Sequence, residues 1–215
     1  MNLSTLRRST VPAVLLTVAL AATACGGSND RTGTSSMPSH DMSSMSTPVA
    51  VSSATGTPAT GQHNDADVAF ATGMIPHHAQ AVVMADVAKT NATDAQVKNL
   101  AATIKAAQAP EITMMSGWLA GWGKPVPTSS SHRRMNMGDG MMSDAEMNQL
   151  DGARGVTFDR MWLQMMVKHH EGAIAMARTE LADGTNTDAQ RLAQSIISSQ
   201  TAEITLMEKL GASLG

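Results

Sequence analysis

The chain has 215 residues, with 15 Lys and Arg against 18 Asp and Glu, for a formal charge of −3. No basic patch is present to neutralise phosphates, so a nucleic-acid partner is not expected. One Cys stands against 18 Met and 7 His, so a soft-metal site must rely on thioether and imidazole.

At the start, Arg7 and Arg8 precede an apolar run from Val11 to Ala22, followed by Ala22-Thr23-Ala24-Cys25-Gly26. A charged start, an apolar stretch too short to span a bilayer and small residues before a cysteine form an export signal. The pattern resembles a bacterial lipoprotein signal. Residues 1–24 would be removed and Cys25 lipidated, anchoring the protein to the membrane outside the cytoplasm. An ordinary secretory signal or an uncleaved anchor, with an incidental cysteine, is the alternative.

Residues 25–63 are rich in Ser, Thr, Pro, Gly and Ala and poor in branched or aromatic anchors. They cannot bury enough apolar surface to offset ordering entropy, and read as a flexible tether. Met37, His40, Met42 and Met45 lie within it, as accessory metal donors or as incidental residues of a low-complexity segment.

Residues 64–215 should fold around one core. A first helix is expected from about Asp65 to Thr90, and a second from Thr93-Asp94-Ala95-Gln96, a capping box, to just before Gly121. A shorter helix should begin at Ser143, three residues before Glu146. Another runs from near Thr157 to before Gly184, and the last opens at Thr187-Asp188-Ala189-Gln190 and ends near Gly211. The long connection through Lys124–Met142 carries His132, Met135, Met137, Met141 and Met142. Thioethers on an exposed loop have no packing role, so they too are accessory metal candidates, the alternative being that they dock on the outside of the helices.

The two long hairpins are copies. Met74-Ile75-Pro76-His77-His78 returns as Met166-Val167-Lys168-His169-His170. Asp67, Phe70, Met84, Gln108, Glu111 and Met115 return as Asp159, Trp162, Met176, Gln200, Glu203 and Met207. The predicted fold is all-α: a ferritin-like four-helix bundle built from two duplicated helical hairpins. At about 100° per residue, the apolar seam Phe70, Met74, His77, Ala81, Met84 and Ala88 centres between His77 and His78. The copy places Trp162, Met166, His169, Ala173, Met176 and Glu180 likewise. Glu111 and Glu203 fall on the apolar stripes of the second helix in each hairpin, where an unpaired carboxylate would be costly.

Four inward His, two inward Glu and the flanking Met74, Met84, Met166 and Met176 make a candidate metal site. A His–Glu network that only fixes helix register is the structural alternative. Met with His and no free thiol favours copper, as Cu(I) or Cu(II). Iron and zinc are less favoured, since no Glu-x-x-His occurs and zinc more often takes thiolate. Pro76 and Pro110 lie inside predicted helices, but Lys168 and Ala202 replace them in the copy, so kinks cannot be required in both halves.

The pattern Asp67-x-x-Phe70-x-x-x-Met74-Ile75-Pro76-His77-His78-x-x-Ala81-x-x-Met84-Ala85, echoed from Asp159 to Ala177, resembles the domain of unknown function 305 (DUF305) family over about residues 64–212. That resemblance implies a secreted or lipid-anchored bacterial protein with a ferritin-like bundle, in a family where some members are associated with copper binding and resistance. The expected function is extracytoplasmic copper binding for homeostasis or resistance, with a copper-transfer partner or a second copy of the chain as companions. A redox metalloenzyme is the second expectation and a partner-binding bundle the third. No nucleophile elbow of the Gly-x-Ser-x-Gly kind is present.

Overall fold

The structure, a computed structural model, describes residues 61–128 and 140–214, which lie within the unit Ser52–Gly215. The signal segment, Cys25, Met37, His40, Met42, Met45, His132, Met135 and Met137 lie outside the described residues. The described residues form five helices: α1 Asp65–Asn91, α2 Ala95–Gly121, α3 Asp144–Gly152, α4 Gly155–Asp183 and α5 Thr187–Ser213. No strand occurs among the described residues, as the all-α expectation requires. No helix among them is long and apolar enough to cross a membrane.

Local signals account for most boundaries. The Asn64 side chain accepts from the Ala66 and Asp67 amides, while the Asp67 carboxylate accepts from the Asn64 amide at 2.6 Å, a reciprocal cap. Ser143 and Glu146 close α3 in the same way. The capping boxes expected from Thr93 and Thr187 do not form. The caps are Asp94 and Asn186, whose side-chain oxygens each accept from the second and third helical amides. A short Asx side chain reaches those donors readily, and the two caps are equivalent positions of the duplication. Helix α4 starts two residues before Thr157, at Gly155, whose φ of 64° suits a residue without Cβ. Helix α2 ends at Gly121, followed by Gly123 at φ 66°, and α5 ends two residues past Gly211, both close to the expected ends. Pro76 and Pro110 lie inside α1 and α2 as expected.

Helix α1 packs mainly on α2, and α4 on α5, with the two hairpins joined through α1 and α4. Two reciprocal locks make α1 and α4 antiparallel. Asp67, at the start of α1, accepts from the amides of Thr185 and Asn186 in the α4–α5 turn at 3.1 and 2.9 Å. Asp159, at the start of α4, accepts from the amides of Thr93 and Asp94 in the α1–α2 turn at 3.1 and 3.0 Å. Each half therefore satisfies the orphan turn amides of the other.

The core has two apolar clusters. One gathers Met84, Ile104, Met142, Leu150, Phe158, Trp162, Met166 and Met207. The other gathers Phe70, Met74, Met115, Trp118, Leu119, Leu192 and Ile196. Each such side chain, fully buried, contributes roughly 1.5–3 kcal/mol from the area removed from water. The indole of Trp162 donates to the Met84 carbonyl at 3.0 Å, so its polar atom is satisfied inside the first cluster. Because α1 and α4 run antiparallel, Met74 lies in one cluster and Met166 in the other. The histidine doublets that follow each of them belong to neither.

Candidate metal centre

The doublets form a buried polar layer. His77 is 2 % exposed, and His78, His169 and His170 are 0 % exposed. The His77 and His169 rings meet across the α1–α4 contact, with centroids 3.8 Å apart and planes inclined by 43°. This pairing follows from the sequence, because equivalent seam positions of two antiparallel copies meet at the centre of their contact.

The outer histidines are each held by their own hairpin. Glu111 of α2 accepts from His78 Nε2 at 2.7 Å, and Glu203 of α5 accepts from His170 Nε2 at 2.7 Å. The histidine side chains are fully enclosed, while the glutamates are 19 % and 17 % exposed. With Nε2 committed to a carboxylate, the second ring nitrogen of each, Nδ1, is buried without a hydrogen-bond partner. The His169 nitrogens also make no hydrogen bond of ordinary geometry. Burial drives the His169 pKa well below the usual 6.5, and His77, His170 and His78 push the same way, against a weaker pull from the His77 backbone. Protonation there would place a charge in a water-poor layer beside three potential cations.

Each glutamate thus meets one histidine of its own hairpin. Among the described residues no three His, Cys, Asp or Glu side chains are grouped to hold one ion. What the fold brings together is a His77–His169 contact, two His–Glu pairs beside it, and Met74 and Met166 just before the doublets, both 0 % exposed. Met84 is buried in one cluster, and Met176 packs on the other partly buried. Met142, expected on an exposed loop, is 1 % exposed within the first cluster. Its backbone amide donates to Gln80 Oε1 at 2.7 Å and its carbonyl accepts from Gln80 Nε2 at 2.8 Å. Met141 is partly buried beside it.

Three features escaped sequence reasoning. The pairing of Gln80 with the loop backbone carried no motif. Gly140, at φ 92°, lies so close to α4 that a Cβ would meet the Lys168 carbonyl at 2.7 Å. Glu180, on the predicted seam, is a 1 % exposed carboxyl with no hydrogen bond of ordinary geometry. Burial, then its hydrogen bond and repulsion with Asp67, raise its pKa to about 8. Burial also pushes the Asp67 pKa up, but the Asn64 and Asn186 amides, the Glu180 side chain and the Thr185 amide outweigh it and hold the carboxylate low. A signal for Glu180 does exist in the duplication. Its copy position is Ala88, and Gly184, where a Cβ would lie 2.2 Å from Glu180 Oε1, answers to Ala92.

The family described as "Domain of unknown function (DUF305)" matches residues 67–211. A DUF305 protein from Streptomyces coelicolor, provisionally named a secreted protein, is 38% identical over 70% of this chain and 94% of its own, with a TM-score of 0.64. A DUF305 fragment from Deinococcus radiodurans is 32% identical over 71% and 99% of the two chains, with a TM-score of 0.62. CopM in its Cu(II)-bound form is 31% identical over 69% and 97%, with a TM-score of 0.61. Its Cu(I)-bound form is 30% identical over 68% and 96%, with a TM-score of 0.58. CopM also has silver-bound forms. No curated protein matches the chain.

Proposed function

This chain belongs to the DUF305 family, and from that footing we propose that it binds copper within a ferritin-like four-helix bundle, outside the cytoplasm. The observation that carries the reading is the histidine layer. His77 and His169 meet at 3.8 Å, flanked by His78 and His170, each oriented by a glutamate and each with a buried Nδ1 that bonds to nothing. A carboxylate on one ring nitrogen fixes the ring and raises the basicity of the other, which is how proteins prepare a histidine for a metal. Glu111 and Glu203 then act through His78 and His170.

In this proposal Met74, Met84, Met166 and Met176, in the apolar clusters of the same core, supply thioethers, which with imidazole make a donor set suited to Cu(I), with imidazole serving Cu(II) as well. The only cysteine is Cys25, so no thiol competes in the folded part. The resemblance to CopM in copper- and silver-bound forms supports a soft metal as cargo. The signal pattern of residues 1–24 before Cys25 supports a lipid anchor, and the secreted Streptomyces coelicolor relative supports a place outside the cytoplasm, where the protein would serve copper homeostasis or resistance. Met37, His40, Met42 and Met45 in the tether, with His132, Met135, Met137 and Met141 in the crossover, are accessory donors in this proposal, whereas Met142 is buried in the first cluster and packs there.

A second reading has its own observation: the 2.7 Å His–Glu pairs already satisfy one nitrogen of His78 and of His170, as a purely architectural network would. Competition for Cu(I) against a coloured chelator separates the two. Tight binding that is lost in His77→Ala/His169→Ala supports the copper site. Unchanged binding in that variant supports the network.

A further inference from the structure

Resting on the copper reading above, we propose that Cu(I) enters and leaves the histidine layer through one half of the duplication. Met114 is the outer ligand and the His78–Glu111 pair is the gate. The glutamates bridge solvent and interior in both halves, being 19 % and 17 % exposed while their histidines are 0 % exposed. The Glu111 carboxylate lies 2.7 Å from the enclosed imidazole and is itself partly exposed, so in this proposal its outward swing opens the way to that ring.

The halves differ one turn further along. Met114 stands three residues after Glu111 on α2, close enough on the helix surface for the two side chains to be neighbours. It is 48 % exposed. The equivalent residue after Glu203 is Leu206, 41 % exposed. Both halves thus keep a large apolar side chain at this surface position, but only the first gives it a sulfur. The groove of about 410 Å³ beside Glu203, lined by Gln96, Asn99, Thr103 and Leu206, offers no thioether either.

The chemistry is ligand exchange without electron transfer. A Cu(I) ion bonds to the Met114 thioether and the Glu111 carboxylate as Glu111 releases His78 Nε2. The ion then bonds to His78 Nδ1, which carries the free lone pair, as its bonds to Met114 and Glu111 break and Glu111 accepts again from the Nε2–H, so no proton is transferred. Cu(I) suits this role because thioether holds it well yet exchanges it readily. Release follows the same steps backwards, which would let an acceptor protein take the ion at the surface of α2.

The test follows Cu(I) uptake by the purified protein from its bicinchoninate complex, by stopped-flow loss of the chelate colour. Met114→Leu should slow uptake about tenfold while leaving equilibrium stoichiometry and affinity unchanged. Adding Leu206→Met to that variant should restore part of the rate through the other half. Met114→Leu with the wild-type uptake rate would overturn the proposal. So would weakened equilibrium binding at an unchanged rate, which would make Met114 a resident ligand. A wild-type protein that takes up no Cu(I) would overturn the copper reading itself, and this inference with it.

Discussion

Asp67 and Asp159 hold equivalent places in the two halves, and each carboxylate accepts the turn amides of the opposite hairpin. The exchange ties the two hairpins together at both ends of the α1–α4 contact and so fixes where the histidines meet. Removing either carboxylate takes a charged acceptor from two turn amides, both part-buried at Asp159. Asp159→Ala should therefore cost roughly 2–4 kcal/mol in urea denaturation, with Asp159→Asn costing less because its carbonyl can still accept one amide. A loss below 0.5 kcal/mol in Asp159→Ala, that is roughly the scatter of surface substitutions, would show that the lock is unimportant.

Glu180 should make stability fall as pH rises from 4.5 to about 8. Its pKa rises from the usual 4.5 to about 8 on folding. The folded state thus holds the proton more tightly than the unfolded chain, so this contribution is complete below pH 4.5 and is lost as pH rises through 8. Glu180→Gln keeps the shape and the hydrogen bond to Asp67 without titrating. The variant should gain on wild type steadily between those limits, read as melting temperature against pH. Parallel profiles would contradict the buried-acid account.

The same residue predicts a rescue. Gly184→Ala should destabilise, since its Cβ would sit 2.2 Å from Glu180 Oε1. Glu180→Ala in the same chain recreates the Ala88 and Ala92 pair of the first half and should recover the part of the loss that the carboxyl causes, the Glu180 carbonyl at 2.6 Å remaining. A double variant as unstable as Gly184→Ala alone would show that the clash lies elsewhere.

His169 predicts an acid-side weakness of the metal-free protein. Its pKa falls well below 6.5 on folding, so the unfolded chain binds the proton more readily. Its contribution is present above pH 6.5 and is lost as pH falls toward the lower folded value. His169→Gln should flatten this slope between pH 7 and 5, in metal-free buffer followed by circular dichroism.

Much of this was legible in the sequence because the duplication doubled every signal. The His-His doublets, their seams and the glutamates on the partner helices were read from periodicity, and each of those positions is buried or half-buried as expected. The cap of α5 was misplaced because Thr187 with Gln190 mimics a capping box one residue after the Asn186 that forms the cap. The glutamates were expected to converge with the histidines, but wheel geometry gives direction and not the partner. Only the fold shows that each stops at one histidine of its own hairpin. Gly140 and Gln80 depend on where the crossover returns, which no local pattern encodes.

The copper site is tested most directly by melting temperature with and without Cu(I), on wild type and on His77→Ala/His169→Ala. A ligand at a hundredfold excess over its Kd adds about 2.7 kcal/mol, or roughly 5–10 °C for a domain of this size. Wild type should show that increment and the double variant should lose most of it, whatever its metal-free melting temperature. A variant that melts lower without metal yet keeps the full copper increment would contradict the site and leave the His–Glu pairs as architecture alone.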